Sequence, residues 1–252
     1  MTSKNKIKYI HSLEQKKGRK AEQAFVAEGP KIVGELLNVC SPKLIIATRS
    51  WLETHPMTDS CIEIIEVDEE GLRKVSFLLH PQEVLAVFPM LSGSKPLPDT
   101  QKLMLALDGI QDPGNLGTII RIADWFGIEQ IICSTDTADV YNPKVVQATM
   151  GSIARVNITY TDLCLFINTL PVDYPVYGTL LNGKSIYQQA LTPYGLLVMG
   201  NEGNGISQEI RAKVNHRLLI PSYPSDKATA ESLNVAIATA ITCAEFRRRV
   251  IL

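Results

Sequence analysis

The sequence predicts an α/β protein in two parts, a small α/β unit followed by a larger one whose parallel sheet carries helices on both faces. Three features of the 252 residues support this reading. Apolar runs of strand length alternate with helical patterns through the second half. Those runs lack polar alternation, as strands buried on both faces do. Between the halves, Ser92-Gly93-Ser94-Lys95-Pro96-Leu97-Pro98-Asp99 combines glycine, serine and proline without an apolar period, which reads as a linker. The expected division is 1–91, a linker over 92–100, and 101–252.

In the first part, residues 5–40 read as helical, opening at Ser12-Leu13-Glu14 and broken by Gly29-Pro30. Pro30 suits the first turn of a helix reaching Leu36-Leu37. Lys43–Ala47, Ile62–Val67 and Glu83–Phe88 read as strands, and Asp68 caps a helix over 69–75. In the second part, strands are expected at 103–107, 130–133, 156–158, 175–179, 195–200 and 217–221. Helices are expected at 116–126, ended by Gly127, and at 145–150, 206–214 and 232–249.

Lysine plus arginine is 25 against 26 acidic residues, a net charge of −1, with 45% hydrophobic and 20% charged residues. These values exclude a disordered chain, a collagen and a coiled coil. No run approaches the ~18 apolar residues of a membrane helix, and the charged amino terminus does not read as a signal peptide. The five cysteines are odd in number and scattered, without a Cys-x-x-Cys or a nearby histidine pair. Neither a disulfide framework nor a metal site is expected, and a reducing cytoplasm fits. Charge is uneven, however. The first twenty residues carry +6, and Arg247-Arg248-Arg249 lies close to the end of the sequence. Each run reads either as a solvated helix face or as a phosphate contact.

Three segments of unusual composition follow strands of the second part, where ligands of open α/β sheets bind. The first runs from Asp108 to Arg121, a glycine- and proline-rich loop with Asn115 at a helix N-cap position and Arg121 six residues on. It is otherwise a capped turn with a solvated arginine. The second, Met199 to Ser207, has Glu202 among its glycines. Its glycine order is wrong for a dinucleotide loop, and a carboxylate opposes phosphate, so it suits a ligand with hydroxyls or a positive centre. It is otherwise a plain loop with an incidental glutamate. The third, Glu231 to Ile241, puts Ser232 at a helix start and Asn234 inside an apolar helix, where it needs partners.

Taken together, these segments resemble the SpoU/TrmH class of SPOUT methyltransferases, which move a methyl group from S-adenosylmethionine to a ribose 2′-hydroxyl of RNA. Asp112-Pro113-Gly114-Asn115-Leu116-Gly117-Thr118-Ile119-Ile120-Arg121 matches the first motif, and Gly200-Asn201-Glu202-Gly203-Asn204-Gly205 the second. Ile220-Pro221 with Ser232-Leu233-Asn234-Val235 matches the third. Phe25-Val26-Ala27-Glu28-Gly29 looks like part of the small RNA-binding domain that precedes the catalytic domain in many members.

The resemblance implies a carboxy-terminal trefoil knot and a homodimer. It implies a cofactor held by Thr179, Leu180, Gly200, Asn201, Ile220 and Leu233, and catalytic roles for Arg121, Asn115, Glu202, Ser232 and Asn234. Arg121 would grip the phosphate beside the target ribose, since arginine keeps its proton. Asn115 and Asn234 would hold the ribose or Arg121, Glu202 would orient Arg121 or a hydroxyl, and Ser232 would bond phosphate or cap its helix. No metal is implied. Large-subunit ribosomal RNA is the expected substrate by analogy. The alternatives are transfer RNA, or a non-catalytic RNA-binding or ribosome-assembly protein that keeps the fold. The chain departs from the family in the ten residues Ser222 to Glu231, a longer connection expected to reshape the rim of the cofactor pocket.

Overall fold

Ser3 accepts a hydrogen bond from Lys6 N and so starts the first helix, α1 (Lys4–Ser12), of the computed structural model. The structure is described over residues 3–57, 60–91, 98–99, 101–224 and 230–251. The first unit continues with α2 (Lys16–Glu22), β1 (Ala24–Glu28), α3 (Pro30–Leu37), β2 (Leu44–Ala47), α4 (Arg49–Thr54), β3 (Glu63–Glu66), α5 (Glu69–Arg73) and β4 (Val84–Pro89). Its sheet runs β1-β4-β2-β3, with β1 and β2 antiparallel to β4, and β3 parallel to β2 at the edge. Alternate residues Ala24, Val26, Leu44, Ile46, Leu85 and Val87 form a core with Ile10, Leu13 and Leu72.

Two sequence expectations change here. Ser12 ends a helix and does not open one. Residues 24–28, read as helical, form an edge strand with every residue buried, a pattern whose missing alternation imitates a helix. As expected, Pro30 opens α3 and Asp68 caps α5, accepting from Gly71 N at 2.8 Å.

The segment Asp139–Ala154 packs with this first unit, although the sequence reading ran the second domain unbroken from 101. It holds α7 (Pro143–Thr149), which lies against β1. Arg19, 2% exposed, fixes the arrangement. Its Nη1 donates to Leu13 O and Glu14 O, and its Nη2 donates to Asp139 at 2.6 Å. Tyr141 packs against Phe25, the rings tilted by 35° with centroids 4.7 Å apart. The linker expected at 92–100 lies, over 92–97 and at 100, outside the described residues.

The second unit contains β5 (Leu103–Asp108), α6 (Pro113–Trp125), β6 (Gln130–Cys133), β7 (Asn157–Tyr160), α8 (Leu163–Asn168), β8 (Val176–Ser185), β9 (Gly195–Gly200), α9 (Gln208–Arg211), β10 (His216–Leu219) and α10 (Val235–Ile251). Its six strands are all parallel, in the order β10-β8-β9-β5-β6-β7. The buried faces are apolar, as predicted. Met104, Ala106, Val176, Leu196 and Val198 pack with α8 and α9. On the other face Tyr177 meets Phe246 of α10 edge-on at 4.9 Å, and α10 packs along α6. The chain steps outward through β5, β6 and β7, then crosses back to β8, and β9 returns between β8 and β5. The strand order reverses at the β5–β9 pair, so the ligand crevice of such sheets opens there.

The carboxy-terminal arginines are internally engaged. Arg247 donates to Phe126 O at 2.7 Å, while Arg248 and Arg249 each donate to Glu245 at 2.8 Å. Of the three, Arg248 keeps a side chain that is 55% exposed. The bonds from Arg248 and Arg249 hold the Glu245 carboxyl down to about 2 from its ordinary 4.5. A depressed carboxyl stabilises the fold above its unfolded pKa and loses that contribution as pH falls through the folded value. Glu245→Gln is therefore expected to lower Tm by about 3–6 °C at neutral pH. In paired thermal melts, the gap from the unaltered protein should narrow as pH falls below 4.5 toward 2.

Candidate active site

The crevice is built from three loops. At the end of β5, Gly109 adopts φ +70°, a conformation that favours glycine. Its N–H donates to Ser134 Oγ at 2.8 Å, and its carbonyl accepts from Asn201 Nδ2 at 2.7 Å. Asp112, not Asn115, caps α6, accepting from Asn115 N at 2.7 Å, with Pro113 in the first turn. That frees the Asn115 side chain for other work.

The second loop leaves β9 at Gly200. A Cβ there would lie 2.2 Å from Gly205 C and from Ile206 N, so only glycine permits the paired Asn201–Gly205 bridge. Asn201 Oδ1 accepts from Gly203 N at 2.9 Å and Asn204 N at 3.0 Å, which closes the loop on itself. Glu202 then turns toward the first loop. Its carboxylate accepts from Gln111 N and Asp112 N, both at 3.3 Å, and from Asn115 Nδ2 at 3.0 Å.

The third loop leads into α10. Asn234 is exposed, and its Oδ1 accepts from Ala236 N at 2.9 Å and Ile237 N at 3.3 Å. It is therefore the helix cap, in place of Ser232. Its Nδ2 donates to Asn115 Oδ1 at 2.9 Å. The carboxylate fixes one end of the Asn115 amide and two backbone donors fix the Asn234 oxygen, so both amide orientations follow from the network. Glu202, Asn115 and Asn234 form one hydrogen-bonded chain across all three motifs.

A cavity of about 370 Å³ opens beside this chain, within the ~300–1,000 Å³ usual for small-ligand sites. Thr179, Leu180, Gly200, Asn201, Ile220 and Leu233 all line it, as do Glu202 and Ser232. Leu181, Asn182 and Arg211 line it as well and were missed from sequence. The first two lie on an excursion of β8. Arg217 pairs with Gly178 and the next residue, Leu218, pairs with Lys184, so residues 179–183 have no partner on β10. Asn182-Gly183 was the available signal: a Cβ at Gly183 would sit 2.5 Å from Leu218 C. Nothing local marks Arg211, whose Nη2 donates to Ile206 O at 3.2 Å.

Arg121 stands apart. It is exposed on α6, and among the described residues no hydrogen bond joins it to Glu202, Asn115 or Asn234. The expectation that Glu202 or an asparagine orients Arg121 is corrected: those groups bond one another. Of the longer connection, residues 225–229 lie outside the described residues. Among the described residues, no cluster of three His, Cys, Asp or Glu could hold a metal, and no helix is long and apolar enough to cross a membrane.

A cavity at the ends of β8, β9 and β10, walled by close-packed glycine backbone and reached by Glu202 of the polar relay, defines an α/β enzyme that holds a small polar ligand. The chain belongs to the SpoU rRNA methylase family, whose profile matches residues 102–244. Residues 4–86 match the MRM3-like substrate binding domain. The chain is 32% identical over 240 residues to the 23S rRNA (guanosine(2553)-2′-O)-methyltransferase RlmP of Bacillus subtilis, covering 94% of this chain and 93% of that one. A TrmH-family structure from Porphyromonas gingivalis superposes with a TM-score of 0.89 at 43% identity, covering 99% of both chains. An AdoMet-bound rRNA methyltransferase from Sinorhizobium meliloti gives 0.87 at 31% identity, covering 99% of this chain and 97% of that one.

Proposed function

We propose that the protein transfers a methyl group from S-adenosylmethionine to a ribose 2′-hydroxyl of large-subunit ribosomal RNA. One observation carries the reading: the Glu202–Asn115–Asn234 chain ties all three family motifs to the rim of one cavity. The residues fit the donor. The Gly200 turn leaves no room for a side chain, and Gly200, Asn201, Ile220 and Leu233, with Thr179 and Leu180, line the cavity and would hold the donor.

S-adenosylmethionine supplies an electrophilic methyl on a sulfonium. Bound there, it would give that methyl to the ribose 2′-oxygen, with the sulfur leaving as the neutral thioether and the hydroxyl proton going to phosphate or water. Positive charge is consumed in this step, so alignment matters more than charge stabilisation, and alignment alone supplies roughly 7–11 kcal/mol in good cases. Arg121 grips the phosphate beside the target ribose through two parallel N–H donors. Glu202 holds Asn115, Asn115 and Asn234 set the ribose face of the site, and Ser232 bonds the neighbouring phosphate. RNA is selected because DNA offers no 2′-hydroxyl.

The first unit contributes RNA contact through Lys16, Lys17 and Lys20, which are exposed on α2. The second unit forms a homodimer through α6 and α10, where Trp125 is 85% and Ile237 53% exposed. The family resemblance supports a trefoil knot through the third motif, and the scattered cysteines suit the cytoplasm. The test is transfer of labelled methyl from S-adenosylmethionine to total RNA. Alkali-stable label in large-subunit ribosomal RNA is expected. Label confined to transfer RNA, or no heat on titration with S-adenosylmethionine, overturns the reading.

A further inference from the structure

A second cavity, of about 600 Å³, is lined only by residues of the first unit and takes no part in the site above. The α1–α2 turn supplies Gln15, the edge strand β1 supplies Val26 and Glu28, the segment after Ser76 supplies Phe77 and Leu78, and α7 supplies Gln147. Arg19 clamps two of these walls, bonding Leu13 O and Glu14 O on one side and Asp139 on the other. The opening is thus built into the fold.

Glu28 is the unusual lining group, a carboxylate only 6% exposed. Ser76 Oγ donates to one oxygen and Phe77 N to the other, the latter at 2.9 Å. Burial pushes its pKa above the usual carboxylate range, against those two donors. A carboxylate has about four acceptor sites, so each oxygen keeps one for a further donor, and a buried acceptor gains from filling it. Two parallel donors on one edge would meet both oxygens at once. Among the four RNA bases only guanine presents them, at N1–H and N2–H. Val26, Phe77 and Leu78 give apolar surface for the ring faces, as unpaired bases require. Gln15 and Gln147, whose side chains make no hydrogen bond among the described residues, offer amide donors to O6 and N7.

We propose that this cavity receives an unpaired guanine of the RNA substrate, with Glu28 accepting from its N1–H and N2–H. The proposal rests on the RNA-substrate reading above but uses none of the cofactor-site residues. The experiment measures binding of the full-length protein to a short single-stranded uridine oligonucleotide with one central guanosine, and to the same strand with inosine, which lacks the 2-amino group. Inosine should weaken binding about tenfold, the size of one hydrogen bond to a charged acceptor. Glu28→Gln should bind the two strands equally, because its amide presents a donor where the base also donates. Gln147→Leu should weaken the guanosine strand selectively and, lying at the half-buried rim, decides the matter if Glu28→Gln fails to fold. Equal binding of both strands by the unaltered protein, or undiminished discrimination in both variants, overturns the proposal. Calorimetric titration of each protein with S-adenosylmethionine separates the two readings. Lost cofactor binding in the unaltered protein with guanine preference intact sinks the methyltransferase alone, and the reverse sinks only the guanine site.

Discussion

Gly200→Ala should abolish S-adenosylmethionine binding, raising Kd at least ~100-fold in a calorimetric titration. The atoms a methyl group would strike are backbone, Gly205 C and Ile206 N, each 2.2 Å from the ideal Cβ position. No rotamer change relieves such a clash, so the Asn201–Gly205 bridge must open and carry Glu202 with it. Overpacking of a fixed interior also destabilises the fold, by about 1–3 kcal/mol. Gly203→Ala is the contrast. Its Cβ would meet only Asn201 Oδ1, at 3.6 Å, an ordinary contact, so binding should stay within about threefold. Normal binding by Gly200→Ala would show that the cofactor is held elsewhere.

Arg121→Ala should leave the fold and cofactor affinity unchanged while lowering methyl transfer at least ~100-fold. The side chain is exposed and lies outside the Glu202–Asn115–Asn234 chain, so its removal strands no internal partner, and Tm should move by less than about 1 °C. The loss comes from the two charge-assisted bonds to the substrate phosphate, about 1.5–3 kcal/mol each. Arg121→Lys should recover only part of the rate, because an ammonium cannot reproduce the planar fork. Asn115→Ala separates the roles further. It leaves Glu202 and Asn234 without their shared partner and should lower both transfer rate and Tm. Full transfer by Arg121→Ala would remove Arg121 from the site.

The strands of the second unit were legible because burial on both faces leaves uninterrupted apolar runs such as Leu103-Met104-Leu105-Ala106-Leu107. The same property hid β1: Ala24 to Glu28 also lacks alternation, and it follows a lysine-rich helical stretch. The three site loops stood out through glycine, proline and asparagine. Their internal chemistry did not. Asn115 meets Glu202 across 87 positions and Asn234 across 119, and no local pattern encodes such meetings. Cap choice failed for a related reason. Asp112 and Asn115 can each cap α6, as Ser232 and Asn234 can each cap α10, and the tertiary partner of the asparagine decides. The allegiance of Asp139–Ala154 was equally illegible, resting on Arg19, Phe25 and β1, all far away in the chain.

That allegiance has a consequence for biosynthesis. A nascent polypeptide emerging from the ribosome exposes residues up to Ser92 while Arg19 still lacks Asp139 and β1 still lacks α7. An unpaired guanidinium in a closing core is strongly disfavoured, so this unit should mature only after Ala154 has appeared, 62 residues later. At about 5–20 residues per second the delay is roughly 3–12 s, during which the sheet edge at β1 is open to chaperones or to mispairing.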